Sequence, residues 1–328
     1  MSLTFELLAD VEAPVRLRDE WRALWETDPT ATMFQRPEFL LTWIAEFEGP
    51  PPVLVLARRD EQLAGLAAFR VDAGVLRFLG DHEITDYLAP VGSDREAVAA
   101  MLLEGMAALE GWRSAELHCL AVDTGGPGAI TDAAKGAGWI VEEQRQDVCP
   151  RVSLEGGFDA YLERLPGKLR HEMLRKERRL AREAGAYTVR LSTAATLDAD
   201  LELFFAMHRS SEGAKGKFLH QGMAGFFTRL AHSFEQLGAL RLSWLEVGDS
   251  TLAAVLSFAD RDGWRVYNSA FDHSRRALAP GMVLMSETIR LAAREGALTL
   301  DLLRGDEPYK YRFGAVGLPL VQLTLSRS

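Results

Sequence analysis

Cysteine is scarce in this chain: its 328 residues include two, Cys119 and Cys149, with no CxxC pair and no Cys/His cluster. That excludes a disulfide-stapled scaffold and a structural zinc site, and it points to a reduced, cytoplasmic compartment. The seven histidines add no metal signal, because His208, His220 and His232 recur at twelve-residue intervals rather than at the i, i+4 spacing of helical ligands. No metal is expected. Long hydrophobic runs are missing too. The apolar stretch Ala97–Leu109 is interrupted by Glu104, and nothing approaches the roughly 18–20 apolar residues that span a bilayer. Residues 1–6 lack the basic and apolar regions of a secretory signal. There is no P-loop, no strand-bound G-x-G-x-x-G, and no G-x-S-x-G around Ser210. Nucleotide hydrolysis, nicotinamide chemistry and a serine-hydrolase elbow are left without support. Basic residues are outnumbered, 37 against 47 acidic, for a net charge of −10. This argues against a surface built throughout for nucleic acid.

What is present is an ordinary globular composition, 48% hydrophobic and 26% charged, in a chain long enough for two domains. Short apolar runs at Val53–Ala57, Leu63–Phe69 and Val75–Leu79 read as a strand meander. Ala97–Leu109 reads as a helix opened by Ser93 with Glu96 in capping-box spacing, and Ala115–Leu120 as a strand. The second half repeats this order, with strands at Leu240–Leu245, Leu252–Phe258 and Trp264–Tyr267, a helix over Met282–Arg294 and a strand at Leu298–Leu302. LAGLAAF at Leu63 lines up with LAAVLSF at Leu252, and Gly74 with Gly263, both 189 residues apart. The pattern is that of an internal duplication, with domains at residues 1–150 and 151–328. Between the copies, residues 159–184 read as one helical segment with an apolar stripe through Leu162, Leu165, Leu169, Met173 and Leu180, with Pro166 at a kink or in the first turn of its main part. From Arg164 to Arg182 eight basic residues face two glutamates, a local charge of +6. Three uses fit such a run: a solvated face, a site for an acidic substrate or headgroup, or an RNA-contacting helix. A second helix over Leu197–Ser210 leads into a loop, Gly213–Lys217, and then an aromatic-rich helix around Phe226–Phe234.

The chemistry concentrates between Asp272 and Gly314. Arg275-Arg276-Ala277-Leu278-Ala279-Pro280-Gly281 leads from a strand into the helix containing Met282. Pro280 suits the first helical position, and open amides beside two arginines suit a phosphate or pyrophosphate. The corresponding start in the first copy, Ser93-Asp94-Arg95-Glu96, is acidic and would repel phosphate. Only the second copy is therefore expected to bind an anionic cofactor. The segment that follows carries Asp301, Arg304, Asp306, Glu307, Tyr309, Lys310 and Arg312, groups able to orient and protonate.

Arg276–Gly281 resembles a relaxed form of the R/Q-x-x-G-x-G/A loop of the GNAT acyltransferase superfamily, with Ala279 where that family usually has glycine. Leu300–Gly314, L-D-L-L-R-G-D-E-P-Y-K-Y-R-F-G, resembles the C-terminal signature of the CelD/BcsL-like group of GNAT proteins and the F-K-x-x-F-G ending of Fem-type aminoacyltransferases. Weaker likeness extends to Phe34–Phe39, Asp86-Tyr87, the basic helix and His208-Arg209. The resemblance implies an α/β (α+β) fold of two tandem GNAT-like domains, each a mixed, mostly antiparallel twisted sheet flanked by helices. It implies acetyl-CoA or another acyl-CoA as co-substrate, held by Arg275, Arg276, Ala279, Gly281 and Met282. It also implies transfer of the acyl group to the amine of a small molecule or saccharide. Tyr309, with Tyr311 as the other candidate, would protonate the leaving thiolate; Asp301 or Asp306 would orient or deprotonate the amine. Arg304 and Lys310 would anchor an anionic group of the acceptor. Asp86, Tyr87, His208 and Arg209 would shape the acceptor site, the first two facing a cleft between the domains. The alternatives are a Fem-like transferase using aminoacyl-tRNA at the basic helix, or a catalytically silent binding protein. Acceptor identity, acyl length and oligomeric state stay open.

Overall fold

The computed structural model describes residues 3–80, 83–210, 221–261 and 263–327. The expected loop at Gly213–Lys217, together with His220, lies outside the described residues. The chain divides into two compact units, Met1–Cys149 with Leu318–Ser328, and Pro150–Gly317. The final strand is thus counted with the first unit, whereas a division at residue 151 leaves it with the second.

In the first unit, β1 (Leu3–Leu8), β2 (Val53–Arg59), β3 (Gln62–Asp72) and β4 (Val75–Phe78) form an antiparallel meander. Helices α1 (Ala13–Arg16), α2 (Arg18–Thr27) and α3 (Pro37–Glu46) lie between β1 and β2 in the chain. Helix α4 (Arg95–Ala108) then returns the chain to β5 (Ser114–Ala121), which pairs parallel with β4. The helix is capped by Asp94, whose carboxylate accepts from the Ala97 amide at 3.1 Å, rather than by the expected Ser93. Helix α5 (Gly126–Gly136) follows β5 and packs on α4. After it comes β6 (Ile140–Ser153). The last strand of the chain, β12 (Val316–Ser326), pairs antiparallel with β5.

The second unit has the same plan. Helices α6 (Gly157–Arg164) and α7 (Gly167–Ala184) precede β7 (Thr188–Leu191), α8 (Leu197–Arg209) and α9 (Gln221–Gln236). The meander β7, β8 (Leu240–Val247), β9 (Ser250–Asp260) and β10 (Gly263–Phe271) is antiparallel throughout. Helix α10 (Pro280–Arg294) then leads to β11 (Thr299–Asp301), parallel to β10. Residues Arg151–Ser153 of β6 complete this sheet by pairing antiparallel with β11.

The duplication is real in topology, but its register differs by one residue from the sequence reading. The hairpins close at Arg59↔Gln62 and Val247↔Ser250, and at Asp72↔Val75 and Asp260↔Gly263, each pair 188 residues apart. A β-bulge recurs at the same separation, between Ala57 and Arg58 and between Leu245 and Glu246. A shift of one residue exchanges the faces of a strand. At 188, Ala67, which packs in the core cluster with α4, corresponds to Val255, which packs in the cluster with α10. The central strands β3 and β9 are apolar on both faces, so their composition could not distinguish the two alignments.

The basic segment is two helices, not one. Leu165 and Pro166 are extended between α6 and α7, and Pro166 is the cap residue of α7, where its missing N–H costs no helical bond. Met173 and Leu180 bury the apolar stripe of α7 against α10. Each contributes about 2 kcal/mol of hydrophobic burial. In the first unit a helix after the parallel strand, α5, packs on α4. In the second, the chain after β11 forms only a short helical turn, Lys310–Phe313, and α7 packs on α10 instead.

Candidate functional site

Strand β10 runs beside β11 only from Gly263 to Arg265 and is bulged between Val266 and Asn268. Beyond the bulge, its end lines a pocket of about 370 Å³ within the second unit. The walls come from five segments: Lys176 of α7, Ser269 and Phe271 of β10, Arg276 and Ala279 of the following turn, Pro280–Met282 and Met285 of α10, and Tyr309, Arg312 and Phe313. Arg276, Ala279, Gly281, Met282 and Tyr309, singled out from the sequence, are brought together here. Arg275 is exposed on the same turn and is not part of the wall.

The turn is built for an open helix start. His273–Leu278 is a 3-10 turn begun by Asp272, whose carboxylate accepts from the Ser274 amide at 2.9 Å. Ala279 then takes a left-handed conformation, φ 53° and ψ 47°, and serves as the cap residue of α10 without any side-chain hydrogen bond. Left-handed backbone is where glycine costs least, which explains the glycine usual in the loop this one resembles. The first amides of α10 have no carbonyl partner within the helix and carry its positive dipole end. In the first unit the matching helix start is filled by the Asp94 carboxylate, itself paired with Arg59 at 3.2 Å. The Arg276 side chain has no hydrogen-bond or ion-pair partner among the described residues.

Tyr309 is carried by a loop held from within. The Lys310 ammonium is buried and donates to the carbonyls of Leu303, Arg304 and Gly305 at 2.9, 2.7 and 3.1 Å, with Glu307 at 3.0 Å. Lys310 therefore fastens the loop and does not reach a substrate, contrary to the role expected for it. Gly314, at φ +72°, ends the Lys310–Phe313 turn where a Cβ would stand 2.8 Å from Leu165. The Tyr161 hydroxyl donates to the Phe313 carbonyl at 3.1 Å and ties α6 to that turn. Tyr309 stays 38% exposed at the pocket edge, and partial removal from water, then the Glu307 charge, push its phenol up to about 12. It holds its proton at neutral pH and is a donor, not a base.

Other expected residues lie elsewhere. Asp301 is fully buried and accepts from Arg151 at 2.8 Å, from Arg265 at 3.3 Å and from the Leu303 amide at 2.8 Å. Fully buried, it is not open to an acceptor amine, and Arg151 and Arg265 are among its partners. Asp306 is exposed and accepts from the Tyr311 hydroxyl, and Arg304 is half-buried; neither is in the pocket wall. His208 is fully buried with Nε2 3.2 Å from Asn268 Oδ1, so it is a core residue of the second unit, while Arg209 is exposed at the end of α8. In the first unit Tyr87 is 3% exposed beside Phe34, and its carbonyl accepts from Gln35 at 2.7 Å. Its ring is core, and Asp86 is half-buried.

Arg312, read from the sequence as a group able to orient and protonate, is a wall residue, whereas Lys176, Ser269, Phe271, Met285 and Phe313 were missed as pocket walls. A signal for Lys176 existed: it occupies the stripe of Leu169, Met173 and Leu180 at helical spacing, a charged residue on an otherwise apolar row. The exposed residues Lys168, His171, Arg175, Arg178 and Arg182 lie on the opposite face of α7. Among the described residues, no group of side chains could hold a metal ion and no helix is long and apolar enough to cross a membrane.

Residues 167–311, all within the second unit, match the family described as Acetyltransferase (GNAT) domain. No curated protein matches the chain. Among solved structures, the chain is similar to FemX, at 14% identity and a TM-score of 0.65, over 96% of each chain. It is also similar to a conserved protein of unknown function from Bacteroides thetaiotaomicron VPI-5482, at 15% identity and a TM-score of 0.65, over 99% of this chain and 100% of that one. L-PGS from Bacillus licheniformis matches at 10% identity and a TM-score of 0.60, over 94% and 91%. These likenesses establish a shared fold.

Proposed function

We propose that the chain is an acyl-CoA-dependent N-acyltransferase, with the donor bound in the second unit. The observation that carries this reading is one pocket joining an unpartnered arginine, an uncapped helix start and a protonated phenol. The donor's thioester supplies the activated acyl carbon. Arg276, Lys176 and the first amides of α10 hold its phosphates, and the apolar walls Phe271, Met282 and Met285 exclude water from its thioester arm. An amine attacks the acyl carbon directly: the C–N bond forms, the C–S bond breaks, the nitrogen releases its proton to water, the sulfur takes one from Tyr309, and water returns a proton to the phenolate. Amides of β10 near its bulge are suited to polarise the carbonyl. The CelD/BcsL-like pattern of Leu300–Gly314 favours a small-molecule, saccharide or envelope-related amine as acceptor, and a cytoplasmic enzyme. The first unit, with its helix start closed by Asp94, would act without a cofactor.

A thermal-shift titration with CoA and acetyl-CoA tests the reading. At a hundred times its dissociation constant a ligand adds about 2.7 kcal/mol. A raised midpoint in the wild type that vanishes in Arg276→Glu supports the donor site; no shift in either protein overturns it.

A second reading, aminoacyl-tRNA as donor, is favoured by one feature, the exposed cationic row Lys168, Arg175, Arg178 and Arg182 along α7. Reversing Arg175 and Arg178 would then abolish transfer while Arg276→Glu would not.

A further inference from the structure

Three cations line the pocket, and they are not in the same state. Arg276 has no partner among the described residues. Lys176 and Arg312, from α7 and from the turn after β11, both face one carboxylate, Glu172, at 3.0 and 3.9 Å. A glutamate four residues before a lysine on a helix is by itself an ordinary surface pair. Two things set this one apart. Lys176 is only 15% exposed in its side chain and forms part of the pocket wall. Arg312 reaches the same carboxylate from a different element. Glu172 is held below the usual carboxylate range, by the Lys176 hydrogen bond first and then by the charges of Arg312 and Arg175.

We infer that Glu172 is a built-in counter-anion which a phosphate group of the ligand displaces from Lys176 and Arg312, so that this carboxylate sets the pocket's affinity for polyphosphate ligands. The inference rests on reading the pocket as a phosphate site. Without a ligand, the two cations are kept apart and oriented by a carboxylate instead of repelling each other. When phosphate enters, it must compete with a tethered anion, which lowers affinity and favours ligands with charge enough for Lys176 and Arg312 as well as Arg276. Removing the carboxylate's charge should therefore tighten binding, the opposite of what loss of a merely structural salt bridge would do.

Calorimetric titration of the full chain with inorganic pyrophosphate decides the inference, and a parallel titration with acetyl-CoA decides the donor reading. Glu172→Gln is expected to bind pyrophosphate about three- to fivefold tighter than wild type, the size of one exposed charge pair. Lys176→Met should bind more weakly, and adding Glu172→Gln to it should recover less than the gain Glu172→Gln gives in the wild type, because only Arg312 is then left to release. Unchanged or weaker pyrophosphate binding in Glu172→Gln, the same gain in the double variant, or no pyrophosphate binding at all overturns the inference. If pyrophosphate behaves as expected but acetyl-CoA does not bind, the inference stands and the acyl-CoA reading falls. If acetyl-CoA binds while Glu172→Gln leaves pyrophosphate affinity unchanged, the reading stands and the inference falls.

Discussion

The Lys310 ammonium donates to the Leu303 carbonyl at 2.9 Å, closing the loop that presents Tyr309 to the pocket. Leu303 is left-handed at φ 55°, so the loop is folded back on itself and the lysine satisfies carbonyls that the turn leaves buried. Replacing it strands those acceptors and removes the charge that faces Glu307. Lys310→Met is expected to cost about 2–3 kcal/mol of stability, seen as a lower denaturation midpoint. Turnover should fall with it because Tyr309 loses its support.

Tyr309→Phe separates chemistry from binding. The acid contributes on the order of a hundredfold to such a step, so kcat should drop by about that factor while donor affinity stays as in wild type. The sign of the pH dependence follows from a phenol pKa raised to about 12. The proton is retained through neutral and mildly alkaline solution, and the acid-dependent rate is lost only as pH rises toward 12. A kcat profile falling with a midpoint near 9 would assign the proton to another group.

Ala279 pays a backbone strain that glycine would not. Relief of a left-handed alanine, about 1–2 kcal/mol, exceeds the added unfolded-state freedom of glycine, about 0.4–1 kcal/mol. Ala279→Gly should therefore stabilise the chain by about 0.5–1 kcal/mol in urea denaturation, with donor binding preserved.

Asp301→Asn leaves Arg151 and Arg265 beside a neutral partner in the interior. The expected loss is about 3–5 kcal/mol, measured by chemical denaturation. Activity per folded molecule should be retained, because the carboxylate is sealed from the pocket; a folded but inactive variant would restore Asp301 to the site.

Much of the plan was legible along the chain. Apolar runs separated by turns marked β2–β4 and β8–β10, and helical spacing marked α4, α7 and α10. Strand β12 escaped because its pairing partner, β5, lies some two hundred residues earlier. Within the site, the Arg276–Gly281 turn was legible because its groups are local: a turn, a proline at the first helical position and a helix end. Lys310 and Asp301 were read as chemistry because sequence shows charge without showing what the charge faces.

By itself the sequence determined the meander strands, helices α4 and α10, the repeated order of elements and the open helix start at Ala279, since these follow from local sterics and from periodicities within a few residues. Tertiary structure decided the one-residue register of the repeat, because strands apolar on both faces accept either alignment. It also decided that α7 rather than a following helix covers α10, which brings Lys176 to the pocket. The fate of each charge was settled there as well. A buried carboxylate or ammonium must find partners, and those of Asp301 and Lys310 are set by which strands and loops the fold brings within 3 Å or so of them.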